Sequence, residues 1–164
     1  VYARSRMADS ILSRQVQEHE FEKDYLAVLE GCPDAPEGIL TDLLVRDAAK
    51  KQTFVTHTPG PDARPARLSY RVLGVRDGRT LVRIRLETGR THQIRVHMSK
   101  NGHPVVGDKV YGVKKEEFSL NGQLLHACRV GLIHPVTGEY MEFSREVPDY
   151  FENVLERLRR KVYG

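Results

Sequence analysis

Residues 67–87 read RLSYRVLGVRDGRTLVRIRLE, two runs of alternating residues on either side of Arg76-Asp77-Gly78. An Asp-Gly pair between such runs signals a tight hairpin, because both central turn positions need a positive φ that these two residues accept at low cost. In the second run Thr80, Val82, Ile84 and Leu86 share one face, and Arg79, Arg83 and Arg85 share the other. In the first run Leu68, Tyr70 and Val72 oppose Arg67 and Arg71. Side chains alternate across a strand, so the pattern predicts an antiparallel pair with one apolar and one cationic face. Two readings of the cationic face stand side by side: a sheet that is wet on one side, and a surface turned towards a polyanion.

Upstream of the hairpin, Met7, Ala8, Ile11, Leu12 and Val16 recur at helical spacing and predict an amphipathic helix. The segment EFEKDYLAVLEG then changes to period two, with Phe21, Lys23, Tyr25 and Ala27 facing one way and Glu22, Asp24, Leu26 and Val28 the other, before Gly31 and Pro33 end the strand. Residues 32–51 read as turn-rich, 52–57 as a short strand, and THTPGPDARPAR as a loop. Downstream, THQIRVHMSKNG predicts a short helix with Thr91 as N-cap and Asn101-Gly102 as its stop. QLLHACRVGLIH and EYMEFSREV predict two more strands, and Pro148 opens a last helix with Tyr150, Phe151, Val154, Leu155 and Leu158 as its buried stripe. The basic end of that helix, RLRRKV, suits the negative pole of a helix dipole as well as it suits a nucleic acid.

With 164 residues the chain is one domain by size, able to bury roughly two-thirds of its unfolded surface. Its 40% hydrophobic and 29% charged content is ordinary for a globular protein, and no run approaches a membrane span. Cys32 and Cys128 lie far apart without metal-type spacing, which fits free thiols in a reducing compartment and predicts a cytoplasmic protein. A net charge of +4 leans modestly towards a polyanionic partner.

The polar density is highest in residues 89–112, GRTHQIRVHMSKNGHPVVGDKVYG. His92 and His97 are five positions apart and do not share a helical face, which argues against a metal pair. GDKVYG lacks the glycine spacing and the Lys-Ser/Thr of a phosphate loop, and no serine or cysteine sits in a nucleophile elbow. What remains is a short helix whose first turn carries Arg90, His92, Gln93 and Arg95, chemistry suited to phosphate or carboxylate. Asp108 reads as a cap for the turn flanked by Gly107 and Gly112.

LETGRTHQIRVHMSKNGHPVVGDKVYG closely resembles the signature of RluA-like pseudouridine synthases. EKDYLAVLEG is similar to that family's Lys-x-Tyr motif, LLHACRVGLIHPVTGEYMEF to its Leu-His-Ala and His-Pro segment, and VPDYF to the start of its last helix, all in the family's order. The resemblance implies an α+β fold, a mixed, mostly antiparallel sheet with packed helices, incomplete at the N-terminus. It implies a single partial catalytic domain over residues 1–164. It further implies isomerisation of uridine to pseudouridine in ribosomal or transfer RNA, with no cofactor or metal: an aspartate attacks the sugar, and the base detaches, turns and rejoins through carbon. The base must leave the stack to be reached.

By the same resemblance, Tyr25 packs beside the flipped base and takes part in proton transfer, and Arg95 pairs with the nucleophilic aspartate. Lys23, Arg90, His92 and Gln93 are expected to contact RNA, with structural hydrogen bonding as the alternative role for His92 and Gln93. The family's His-Arg-Leu-Asp motif, which carries the nucleophile, is absent from the chain, which opens on Val1. A fragment without activity of its own is therefore expected, with Arg95 left unpaired near Tyr25; the alternative is a non-catalytic RNA-binding module on the same fold. Missing strands would leave an exposed sheet edge through which the chain could self-associate.

Overall fold

The computed structural model describes residues 1–114 and 117–163, with side chains described through Arg160. Among the described residues seven strands form one sheet: β1 (Glu22–Glu30), β2 (Glu37–Asp47), β3 (Gln52–Thr56), β4 (Arg64–Arg76), β5 (Arg79–Leu86), β6 (Leu125–Ile133) and β7 (Tyr140–Ser144). Three helices accompany them: α1 (Arg6–Gln17), α2 (Gln93–Lys100) and α3 (Asp149–Tyr163). The spatial order is β3-β2-β4-β5-β1-β6-β7. Every strand pairing is antiparallel, so the mixed character expected of the sheet is absent from the described strands. β5 and β6 flank β1 on either side and therefore run in the same direction, which is why a helical crossover, α2, connects them.

The hairpin forms as its alternation dictates. Asp77 and Gly78 take φ values of 51° and 68°, and Val72, Tyr70 and Leu68 pair with Val82, Ile84 and Leu86. The apolar face meets α2: Ile94 and Met98 pack with Ala27, Leu29, Leu68, Val82, Ile84 and Val105. The opposite face, beyond its charged part, meets α3 through Phe151, Val154 and Leu158 packed with Val28, Leu124 and Phe118. β1 is central, and its two faces feed both cores, as its period-two pattern requires.

Four expectations need correction. The turn-rich reading of residues 32–51 missed β2, which pairs along its length with β4; prolines and Gly38 crowd its entry, but ILTDLLV carries the alternation. β4 likewise begins at Arg64, inside the expected loop. The stripe of α1 is not core: Met7 and Val16 are exposed, while Leu12 and Val16 line a surface cleft. What docks α1 is buried Gln15, whose amide donates to the Ile133 carbonyl at 2.8 Å and accepts from its N–H at 2.9 Å. In α3, Tyr150 is exposed although Phe151, Val154 and Leu158 are buried as expected. Of the basic run at its end, Lys161 and Val162 lie outside the described side chains.

Candidate nucleic-acid interface and catalytic cleft

Lys23 and Tyr25 emerge from the same face of β1 into a cleft of about 420 Å³ bounded by Leu12 and Val16 of α1 and by Ala127 and Arg129 of β6. Tyr25 is half-buried against the α2-side core, and that burial pushes its phenol above the ordinary range. Lys23 is partly buried too. Desolvation first, and then the charge of nearby Arg90, lower its ammonium from the usual lysine value. Its Nζ would lie 2.8 Å from a β-carbon at Gly89, so a larger residue there would push the flexible end of Lys23 aside. Neither Lys23 nor Arg90 has a carboxylate in ion-pair range among the described residues; the Arg90 Nε donates instead to the Pro65 carbonyl at 2.9 Å. Two nearby cations without a carboxylate partner among the described residues, one of them partly desolvated, have the chemistry to meet an anion.

The helix that follows is positioned by Gln93, not by Thr91. The N-cap is His92, in the left-handed region at φ 55° with no side-chain cap. Gln93 is buried, and its Oε1 accepts from the Arg90 N–H at 3.0 Å and the Thr88 hydroxyl at 2.8 Å, while Nε2 donates to the Arg67 carbonyl at 3.1 Å. The amide thus shapes the loop that presents Arg90. The Thr53 N–H donates to the Tyr111 hydroxyl oxygen at 2.8 Å, leaving the Tyr111 hydrogen to bond His92 Nδ1 at 2.8 Å. That geometry suits a neutral imidazole, and burial followed by the charges of Arg95 and Arg46 holds the His92 pKa below its ordinary value.

Arg95 is not left without a partner, contrary to the sequence expectation. Its Nε and Nη2 bond the two oxygens of Asp108 at 2.7 and 2.9 Å, and its guanidinium lies 5.0 Å from the Tyr111 ring centroid. Asp108 is fully buried and also accepts from the N–H groups of Val110 and Tyr111, each at 3.0 Å. Burial pushes its carboxyl up, but the bonds from Arg95 and the two backbone N–H groups outweigh it and hold the group ionised. Asp108 caps its turn as read from the sequence. Its second role, fastening α2 to residues 104–112, was visible only as the co-occurrence of two motifs. Among the described residues no three His, Cys, Asp or Glu side chains gather as metal ligands.

The RNA pseudouridylate synthase family matches residues 1–100. The chain belongs to that family. An uncharacterized RNA pseudouridine synthase of Chloroflexus aurantiacus is 39% identical over 163 residues, spanning 99% of this chain and 50% of that protein. Ribosomal large subunit pseudouridine synthase D of Haemophilus influenzae is 36% identical, spanning 97% of this chain and 52% of that protein. The chain therefore spans about half the length of these curated relatives. Among solved structures, human RNA pseudouridylate synthase domain containing 1 superposes with a TM-score of 0.74 at 26% identity over 96% of this chain and 73% of that one. The seven-stranded antiparallel sheet with packed helices is thus a pseudouridine synthase fold of the RluA-like kind.

Proposed function

We propose that the protein to which this chain contributes converts uridine to pseudouridine in ribosomal or transfer RNA, with the cleft beneath Tyr25 receiving the extruded base. The observation that carries the reading is Lys23 beside the half-buried Tyr25 phenol in one cleft, with Arg90 close enough for its charge to lower the Lys23 ammonium. An extruded nucleotide needs an apolar or aromatic wall for its base and cations for its phosphate. Tyr25 supplies the first and Lys23 with Arg90 the second. The nucleophilic carboxylate comes from outside the chain. Arg95 spends Nε and Nη2 on Asp108 and keeps its remaining N–H donors to meet that carboxylate.

The test is to map pseudouridine in ribosomal and transfer RNA from cells with and without the gene. Loss at a defined uridine, restored by the unaltered gene and not by Tyr25→Phe or Arg90→Gln, is the expected result. An unchanged map, together with RNA binding by the protein, would favour a non-catalytic binding module instead.

The partner is RNA, and the compartment we infer is the cytoplasm, supported by two free cysteines. No helix among the described residues is long and apolar enough to cross a membrane. Self-association is a further proposal: β3 and β7 are sheet edges, and β7 carries exposed Tyr140 and Phe143. Sedimentation at rising concentration tests it, and a constant monomer mass would end it.

A further inference from the structure

Asp24 stands between Lys23 and Tyr25 in β1 and points to the opposite face of the sheet, where it is 1% exposed. Its carboxylate accepts from Arg83 Nη2 at 2.8 Å, from Arg85 Nε at 2.9 Å and from Arg129 Nη1 at 3.2 Å. Two of those arginines belong to β5 and one to β6, so a single side chain ties both neighbours of β1 together. The tie falls where the β1–β6 ladder is interrupted. The β1–β6 register shifts between Asp24 and Tyr25, with Cys128 as the extra residue between Arg129 and Ala127. A bulge bends its strand and re-aims the adjoining side chains. The main chain there is held further by the Cys128 thiol, which donates to the Asp24 carbonyl at 3.4 Å.

A polyanion-binding role for this face is the competing reading, and the charges decide against it. Arg71, Arg83, Arg85 and Arg129 are matched by Glu37, Asp24, Glu22 and Glu142, each engaged in an ion pair with one of them. A neutral network offers no surplus charge to phosphate. A buried carboxylate is costly to desolvate, so its three guanidinium partners must be held together for the strand to keep its place.

We propose that Asp24 is a positioning residue whose carboxylate clamps the back of β1 to β5 and β6 at the bulge and so sets the direction in which Tyr25 enters the cleft. The inference deepens the functional reading above and rests on it for its catalytic consequence. Nuclear magnetic resonance of the 164-residue chain with ring-labelled tyrosine, with the Tyr25 signal assigned through Tyr25→Phe, reads the geometry directly. Asp24→Asn is expected to move the Tyr25 ring resonances and lower the pH at which its phenol titrates, leaving the Tyr111 signals in place. Asp24→Glu restores part of the effect. Arg83→Gln, at a half-exposed side chain that leaves the core intact, produces a smaller change of the same kind and decides the matter if Asp24→Asn fails to fold.

In a protein containing the complete catalytic domain, Asp24→Asn is expected to lower kcat about tenfold or more with KM little changed, because misaimed groups slow chemistry more than binding. A lower unfolding midpoint with Tyr25 signals unmoved in both Asp24→Asn and Arg83→Gln would overturn the proposal. If instead the ring moves while Tyr25→Phe leaves turnover unaltered, the clamp stands and the role given to Tyr25 in the reaction falls.

Discussion

At the scale of single residues, the fate of a charge is decided by whether a partner reaches it. Arg95 and Asp108 satisfy each other almost completely out of water. Removing the cation by Arg95→Met strands a buried carboxylate, and the expected cost is about 3–5 kcal/mol of stability, read as a lowered urea midpoint. His97 is the reverse case. It is fully buried, neither ring nitrogen has a hydrogen-bond partner among the described residues, and its Nε2 lies 3.6 Å from Asp42, which Lys100 already neutralises. Burial lowers its pKa, so the folded protein keeps it neutral while the unfolded chain takes up a proton below about pH 6.5. Its contribution to stability is whole above that pH and is lost as pH falls. His97→Leu removes two unsatisfied nitrogens, and urea titrations should show stability at pH 7 unchanged or raised and the loss on acidification below about pH 6.5 reduced.

At the scale of elements, the loop between β5 and α2 matters more than the helix it opens. Gln93 shapes it from inside and Gly89 makes room for Lys23. A methyl group at Gly89 meets only the mobile end of a lysine, so Gly89→Ala should leave the melting temperature nearly unchanged. It should nevertheless displace Lys23 from the cleft and weaken RNA binding, measured by filter retention at fixed salt. Equal affinity in the variant and the unaltered chain would show that Lys23 does not bind phosphate. The motif spanning this loop is contiguous, so the loop's place beside the strand was legible. The identity of the N-cap was not, because Thr91 fits the local rule and only the three bonds made by Gln93 show why it is passed over.

For the whole molecule, the Asp24 network links β5, β1, β6 and, through Arg129 and Glu142, β7. Burial acts to raise the Asp24 carboxyl, but the bonds from Arg85 and Arg83 outweigh it and bring it down from 3.8 to about 2. A depressed carboxyl stabilises the fold above its unfolded pKa and ceases to do so as pH falls through the folded one. About 2 kcal/mol should therefore be lost between pH about 4 and about 2, beyond what Asp24→Asn loses over the same range in denaturant titrations. Parallel curves for the two proteins would mean that the carboxylate is no better held in the fold than in the unfolded chain.

The sequence by itself determined the two-faced β1, the β4–β5 hairpin, the place of α2 and membership of the family. Strand period, turn chemistry and contiguous motifs are local properties, readable along a chain. Lys23, Tyr25 and Arg90 could be singled out as candidates for that reason, each inside a motif. Only the tertiary structure decided which carboxylate Arg95 meets, that Gln15 rather than an apolar stripe docks α1, and that Asp24 gathers arginines 59, 61 and 105 positions away. Ion pairs and buried hydrogen bonds depend on which distant segments approach within about 3 Å, and that follows from how the sheet is assembled rather than from the neighbours of any residue in the chain.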